Sequence, residues 1–231
     1  MTAIEKYNQS FAKTNLPRPG NQTIGPGMRV LHIGDSHTVG VYGHEMDQLL
    51  RKTGATVATY ASAGSAPSWW LNGTVTRSGY LAKDEYGNVD QPTNWREPRV
   101  TPKLTDLIRR FQPNILVVSL GANLINSGED TVVREVARFL EIAQREGIRV
   151  MWVGPPVSRG DGKAKDLLYQ QLRKAVGPDM VFVDSRRFTH YPSDGGDGIH
   201  YGGAQGGAIA RQWALKVYNA LMSSGQQATD R

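Results

Sequence analysis

The chain has no cysteine among its 231 residues. A disulfide framework, a thiolate metal site and a cysteine nucleophile are therefore excluded, although a chain of this length can bury a core without disulfides. It also lacks an apolar run of roughly 18 residues, the length that spans a membrane. The polar start MTAIEKYNQS lacks the apolar segment of a secretory signal. We expect a soluble chain without a transmembrane segment, and an envelope or extracellular location only if a leader has been removed.

Acidic residues are fewer than basic ones: the chain has 21 Asp and Glu against 27 Lys and Arg, which gives a formal net charge of +6. That balance favours acidic partners such as anionic glycans or nucleic acid. Neither a nucleic-acid-binding motif nor a basic run accompanies the charge, so we expect no nucleic-acid partner.

Short apolar segments rich in β-formers alternate with segments of helical period from residue 28 onward, a pattern typical of β-α units that build a parallel sheet. The predicted strands cover residues 28–34, 56–61, 115–121, 149–154 and 180–184. Helical periodicity separates them, as in the apolar stripe of Tyr42, Met46, Leu49 and Leu50. We therefore expect an α/β three-layer sandwich with a central five-stranded parallel sheet.

Composition divides the chain into one large domain and two flanking segments. Residues 1–27 are rich in Pro and Gly and predict a flexible arm, and residues 223–231 predict a polar tail. Within the domain, residues 66–100 are too long for an ordinary connection. A turn signal at Gly87-Asn88 predicts a hairpin near residues 80–89. We expect this excursion to pass over the functional face of a single domain, residues 28–222.

A serine follows the first predicted strand, in the sequence Gly34-Asp35-Ser36-His37. In a parallel α/β sheet, ligands bind outside the carboxyl ends of the strands, and the N–H groups of a following helix favour negative charge there. Ser36 is therefore a candidate nucleophile. The alternative is that Ser36 only caps the helix, since serine is a preferred N-cap residue.

An acid and a base stand close together before the last predicted helix, as Asp197 and His200 in a glycine-rich segment. A serine hydroxyl needs a base to take its proton, and that base needs an acid to fix its tautomer. Asp197 and His200 fit those two roles, with Asp194 as a competing acid. The alternative is a polar turn whose histidine contacts solvent.

Two further strand ends supply hydrogen-bond donors. One is followed by Gly121-Ala122-Asn123 and the other ends in Ser62-Ala63-Gly64-Ser65. An Asn side chain and a glycine backbone N–H can both stabilise a developing oxyanion. Tight turns also favour these residue types, so each signal alone is weak, but nucleophile, donors and acid-base pair occur in chain order at the expected strand ends.

Four segments together resemble the conserved blocks of the SGNH (GDSL-type) hydrolases, a family of serine esterases and lipases; they are Gly34-Asp35-Ser36, Gly64, Gly121-Ala122-Asn123 and Asp197-Gly198-Ile199-His200. The resemblance spans residues 28–222. It implies that Ser36 is the nucleophile, His200 the general base and Asp197 its orienting acid. It also implies an oxyanion hole made by the backbone N–H groups of Ser36 and Gly64 and by the side chain of Asn123, and it implies no cofactor.

Two positions depart from the family pattern: His37 replaces the leucine of the GDSL motif, and Leu124 replaces an Asp that often follows the family's Asn. Neither removes a catalytic group. A Gly-Asp-Ser-His start is similar to bacterial members that act on O-acetylated cell-envelope glycans. We therefore expect a short-chain ester, namely an acetyl ester, on a polysaccharide or peptidoglycan as substrate.

Aromatic residues in the excursion also point to a glycan. Trp69, Trp70 and Trp95 stand among polar and basic residues, and indole faces can stack on sugar rings. We expect His37, Trp69 and Trp70 to contact the substrate, although at least one of the two adjacent tryptophans is expected to anchor the loop. The alternatives are a lipase or thioesterase of the same fold and a glycan-binding module without catalysis.

A metal-dependent hydrolase is the chemical rival. Plausible ligands of a divalent ion are His32, Asp35, His37, Asp197 and His200. His32, however, lies four residues before Ser36, well inside the predicted sheet, and is expected to be a core histidine. We therefore expect no metal site.

Overall fold

The computed structural model describes residues 23–226. Residues 1–22 of the predicted arm and residues 227–231 of the predicted tail lie outside the described residues. In the rest of the arm, Ile24 is buried in an apolar cluster with residues of the domain. The last helix extends to Gln226, so residues 223–226 continue that helix.

Within residues 23–226, nine strands form a seven-stranded sheet and a small two-stranded one. In chain order they are β1 (Arg29–Gly34), β2 (Thr56–Ser62), β3 (Val75–Thr76), β4 (Tyr80–Lys83), β5 (Val89–Asp90), β6 (Arg99–Val100), β7 (Ile115–Ser119), β8 (Arg149–Val153) and β9 (Val181–Val183). The main sheet has the order β5-β4-β2-β1-β7-β8-β9. Its five strands β2, β1, β7, β8 and β9 are parallel, which confirms the predicted central sheet.

The main sheet has two strands more than the five that were predicted. The predicted hairpin is present as β4 and β5, which pair with each other in antiparallel orientation. Strand β4 also pairs in antiparallel orientation with β2 and so extends the sheet at that edge. The hairpin signal lies in the local turn sequence, whereas the choice of β2 as partner depends on a long-range contact that no local pattern encodes.

Seven α-helices flank the sheet in the described part of the chain. They are α1 (Ser36–Val39), α2 (Val41–Lys52), α3 (Pro67–Asn72), α4 (Leu104–Phe111), α5 (Glu129–Arg145), α6 (Gly162–Val176) and α7 (Gly203–Gln226). Among residues 23–226, no helix combines the length and the hydrophobicity that crossing a membrane requires.

Two apolar clusters cover the two faces of the sheet. Side chains alternate along β1, so that Val30 packs with α2 and α7 on one face while Leu31 and Ile33 pack with α3, α4, α5 and α6 on the other. Strands buried on both faces read as continuous apolar runs, which is why they were identifiable in the sequence.

The parallel register brings three loops to one edge of the sheet. Gly34, at the end of β1, is in register with Ala61 of β2 and Ser119 of β7. The residues that follow these strands therefore lie side by side at their carboxyl ends, where ligands bind in open α/β sheets.

Candidate active site

Ser36 is the first residue of α1, immediately after β1. The cap of this helix is Asp35, whose Oδ1 accepts a hydrogen bond of 3.0 Å from the backbone N–H of His37. Gly34 is required at the strand end, because a Cβ there would lie 1.9 Å from Thr38 Oγ1. Since Asp35 caps the helix, the Ser36 hydroxyl is free for another partner, and its backbone N–H is one of those that the helix leaves unused.

That partner is His200. Ser36 Oγ lies 2.9 Å from His200 Nε2, and His200 Nδ1 lies 2.6 Å from Asp197 Oδ2. The competing acid, Asp194, instead accepts a hydrogen bond of 3.3 Å from Ser193 Oγ. The structure therefore places the serine, the histidine and Asp197 in one chain of hydrogen bonds, although the serine and the histidine are 164 positions apart in the sequence.

Hydrogen bonds hold Asp197 in its ionised form. Partial desolvation favours a higher pKa, but the His200 ring and the backbone N–H groups of His200 and Ile199 donate to the carboxylate and hold the pKa of Asp197 well below its usual range. Its Oδ1 receives the two backbone bonds at 2.7 and 2.8 Å. Because a carboxylate only accepts, the facing Nδ1 of His200 carries the proton and Nε2 is left to accept from Ser36.

The two predicted donor turns adjoin the serine. Ser65 connects them, because its Oγ donates to the Gly34 carbonyl at 3.4 Å and its carbonyl accepts from Asn123 Nδ2 at 2.9 Å. Gly64 has a φ of +84°, a backbone conformation that favours glycine. The structure thus brings the turns carrying Gly64 and Asn123 to the start of α1.

His37 lies beneath the same site and is only 6% exposed. Its ring centroid is 5.6 Å from that of His200, and burial lowers the pKa of His37 to about 3, so the ring is neutral. Among the described residues, no group hydrogen-bonds its Nε2. A cavity of about 140 Å³ is lined by Ser36, His37, Gly40, Val41, Tyr42, His200, Tyr201, Gly202, Ala210 and Trp213.

The prediction that Trp70 contacts the substrate is wrong. Trp70 is fully buried, and its indole N–H donates to Ser65 Oγ at 3.2 Å. It anchors α3 to the core, as expected of at least one of the two tryptophans. Trp69 is half-buried, and its ring lies 3.4 Å from the place where a Cβ on Gly64 would stand. Adjacent residues of a helix project in different directions, so only Trp69 stays beside the site.

The histidine of the first strand is a core residue, as predicted. His32 is fully buried and its Nε2 lies 3.0 Å from Ser119 Oγ. Within residues 23–226, no three His, Asp or Glu side chains are grouped so that they could hold a metal ion. Of the proposed ligands, Asp35 caps a helix and Asp197 bonds to His200.

Two residues that contact the glycine-rich segment carrying Asp197 and His200 were missed in the sequence analysis. Tyr191 Oη lies 3.0 Å from the His200 carbonyl oxygen, and Arg159 donates to carbonyl groups of residues 192 and 195. Neither stands in a motif, and Arg159 is 41 residues before His200. The nearest signal in the sequence is the tyrosine that precedes the glycine-rich segment.

No family model matches the chain. Among curated proteins, it is 29% identical over 165 residues to Protein BcsX of Komagataeibacter xylinus. That match covers 67% of this chain and 58% of the relative, so the chain spans little more than half the length of the relative it matches.

Solved structures resemble the whole domain. TesA superposes with a TM-score of 0.56 at 15% identity, covering 85% of this chain and 99% of TesA. A proposed SGNH hydrolase from Slackia heliotrinireducens superposes with a TM-score of 0.53 at 18% identity, covering 84% of this chain and 98% of that protein. At these identities the likeness concerns the fold. The chain therefore has the α/β fold of the SGNH hydrolases, as its four sequence blocks predicted.

Proposed function

We propose that the protein is a serine ester hydrolase with Ser36 as nucleophile, His200 as general base and Asp197 as the acid that orients it. The observation that carries the proposal is the pair of hydrogen bonds, 2.9 and 2.6 Å, that joins these three side chains. Such a chain makes a serine hydroxyl nucleophilic, because a neutral imidazole accepts its proton while a fixed carboxylate stabilises the resulting cation.

In the proposed reaction, Ser36 Oγ bonds to the ester carbonyl carbon while its proton moves to His200 Nε2. The carbonyl oxygen becomes an oxyanion, which receives hydrogen bonds from the backbone N–H groups of Ser36 and Gly64 and from Asn123 Nδ2. Collapse of this intermediate breaks the bond to the alcohol, which leaves with the proton from His200. His200 then takes a proton from a water that attacks the acyl carbon; the bond from that carbon to Ser36 Oγ breaks, the acid is released, and His200 returns the proton to Ser36 Oγ.

We propose an acetyl group as the acyl half of the substrate. The cavity that borders Ser36 measures about 140 Å³, whereas pockets for drug-sized ligands measure about 300–1,000 Å³. Buried rings of His37, Tyr42 and Trp213 line it. This size supports a short acyl chain over a long one.

We propose a polysaccharide as the alcohol half. The side chain of Trp69 beside Gly64 supports this, since an indole face next to the oxyanion turn can stack on a sugar ring. Trp95 adds an exposed indole in the same excursion, with the Arg96 guanidinium carbon 4.7 Å from its ring centroid. The net charge of +6 would attract an anionic glycan.

A substrate comparison tests the proposal. We expect faster hydrolysis of acetyl than of octanoyl esters, and acetate release from at least one of O-acetylated peptidoglycan, alginate and xylan. Preference for octanoyl esters without acetate release would instead assign a lipase or thioesterase. Chelation should leave the rate unchanged, and strong inhibition by EDTA that zinc or manganese reverses would support a metal-dependent hydrolase.

A further inference from the structure

Asp197 and His200, the acid and the base of the proposed site, lie on a segment without regular secondary structure. Residues 190–202 form neither helix nor strand. Gly195, Gly196 and Gly198 all have positive φ, at 68°, 61° and 88°. Glycine lowers the free-energy cost of positive φ. It also gives the backbone more freedom, so a glycine-rich segment on its own can adopt many other conformations. Because the side chains of Asp197 and His200 are 55% and 46% exposed, burial does not hold them in place.

Arg159 binds this segment at three carbonyl groups. Its guanidinium donates to the Pro192 carbonyl through Nε at 3.2 Å and through Nη2 at 3.0 Å, and to the Gly195 carbonyl through Nη2 at 2.5 Å. Its backbone N–H donates to the Gly198 carbonyl at 2.7 Å. A planar guanidinium can fix several acceptors at once, which a lysine ammonium cannot do with the same geometry.

Tyr191 stands near the start of the same segment and hydrogen-bonds residues farther along it. Its hydroxyl accepts from the Gly198 N–H at 3.1 Å, lies 3.0 Å from the His200 carbonyl oxygen to which it donates, and is 3.4 Å from Asp197 Oδ1. A Cβ on Gly196 would lie 2.5 Å from this hydroxyl, so the glycine makes room for it. The hydroxyl therefore contacts the Asp197 carboxylate and the backbone of Gly198 and His200, which follow it.

The two residues also contact each other. The Arg159 guanidinium carbon lies 5.2 Å from the centroid of the Tyr191 ring, within the range of a cation–π interaction. The Tyr191 ring in turn packs edge-on against Tyr201, at 5.0 Å between centroids. Tyr201 is buried and hydrogen-bonds the Val157 carbonyl, so the pair is tied to the loop after β8.

We propose that Arg159 and Tyr191 are positioning residues, and that they hold Asp197 and His200 in the geometry that activates Ser36. This inference rests on the proposed hydrolase function. In this proposal neither residue contacts the substrate. Their role is to restrict the glycine-rich segment to the one conformation in which the Asp197 carboxylate faces His200 Nδ1 and Nε2 faces the serine.

The test uses the variants Tyr191→Phe, Arg159→Lys and Arg159→Met in the full chain, with Tyr86→Phe and Arg138→Met as controls at exposed positions away from the segment. A displacement of about 1 Å at a catalytic group can cost about a hundredfold in rate. We expect kcat for a small acetyl ester to fall roughly ten- to a hundredfold in the three variants, with KM unchanged. The controls should match the wild type.

A spectroscopic measurement separates positioning from general loss of structure. The hydrogen-bonded Nδ1–H proton of His200 should give a downfield proton resonance in the wild type, which Asp197→Asn identifies by removing it. We expect this resonance to broaden or disappear in Tyr191→Phe and Arg159→Lys while the amide spectrum stays that of a folded protein. Added guanidinium ion at non-denaturing concentration should restore part of kcat to Arg159→Met and none to Tyr191→Phe.

The outcomes distinguish the two proposals. A wild type that hydrolyses no ester overturns the proposed function, whereas the resonance still reports whether Arg159 and Tyr191 order the Asp197–His200 pair. An active wild type, together with Tyr191→Phe and Arg159→Lys variants of unchanged kcat and unchanged resonance, overturns the positioning role. A rise in KM at constant kcat also overturns it, because that result would place these residues in substrate binding. If Arg159→Met does not fold, the milder variants Arg159→Lys and Tyr191→Phe decide.

Discussion

Asn123 donates a side-chain N–H to the backbone carbonyl of Ser65 at 2.9 Å, and this bond joins the loop after β7 to the turn after β2. An amide nitrogen carries two hydrogens, so one holds the side chain in place while the second remains for a ligand. Ser65 also bonds to the Gly34 carbonyl, next to Ser36. The Asn123 side chain is thus fixed before any substrate binds, which is what an oxyanion donor needs.

Replacing this donor should slow the reaction. We expect Asn123→Ala to lower kcat for a small acetyl ester by roughly a hundred- to a thousandfold, the usual effect of losing one oxyanion donor. Slow labelling of Ser36 by an activated phosphonate should persist. Asn126→Ala, an exposed asparagine two residues beyond the turn, is the matched control. An unchanged kcat in Asn123→Ala would show that this side chain only stabilises the turn.

Substitution of Asp197 should lower kcat far more than substitution of the neighbouring Asp194. Asp197→Asn presents an amide where His200 Nδ1 needs an acceptor, which favours the wrong tautomer and can cost up to about ten thousandfold in kcat. Asp194→Asn alters the hydrogen bond from Ser193 Oγ and should leave kcat within a fewfold of the wild type. Steady-state kinetics on folded variants checks this ranking, and the reverse order would reassign the acid.

Substitution of the two adjacent tryptophans should have different effects, on substrate binding for Trp69 and on stability for Trp70. Trp69→Ala should raise KM for an acetylated glycan by roughly two- to tenfold, the scale of an aromatic contact, with a smaller change in KM for a small acetyl ester. Trp70→Ala should instead lower the free energy of unfolding by about 3–5 kcal/mol, because it empties a buried site. Glycan kinetics and thermal melts measure the two effects. An unchanged glycan KM in Trp69→Ala would remove its stacking role and leave the esterase proposal standing.

Acid should destabilise the fold through its buried histidines. Burial lowers the pKa of His32 to about 4 and that of His37 to about 3, against 6.5 for an unperturbed histidine. The unfolded chain therefore binds more protons below pH 6.5, and stability falls as the pH drops through this range. Burial raises the pKa of Asp35 to about 6, so this carboxyl takes up a proton in the folded state and offsets part of the loss.

The contribution of His32 can be isolated with His32→Gln, which keeps a polar group near Ser119 but does not titrate. In the wild type, His32 alone should lower the free energy of unfolding by about 3 kcal/mol as the pH falls from 7 to 4. Denaturant unfolding across this range should show a shallower pH dependence in the variant. Parallel curves for the two proteins would contradict the burial of a neutral His32.

The parallel strands and the motifs of the candidate site can be predicted from the sequence because each has a local cause. A strand buried on both faces is a continuous apolar run, and Asp197 and His200 are only three residues apart, within one turn. The orientation of Trp70 was not readable, since the spacing of adjacent tryptophans does not say which one faces the core. Arg159 and Tyr191 also escaped notice, because their contacts with the Asp197 segment are mostly to backbone carbonyl and N–H groups, which leave no mark on residue type.

The identity of the nucleophile is the central claim, and covalent labelling tests it most directly. Trypsin releases residues 30–51 as one peptide in which Ser36 is the only serine. After reaction with a fluorophosphonate, we predict a single phosphonylated site, at Ser36, by mass spectrometry. Ser36→Ala should lose both the label and ester turnover while remaining folded, and Ser78→Ala, at an exposed serine, should keep both. A label on another residue, or a folded Ser36→Ala protein with the wild-type rate, would contradict the account.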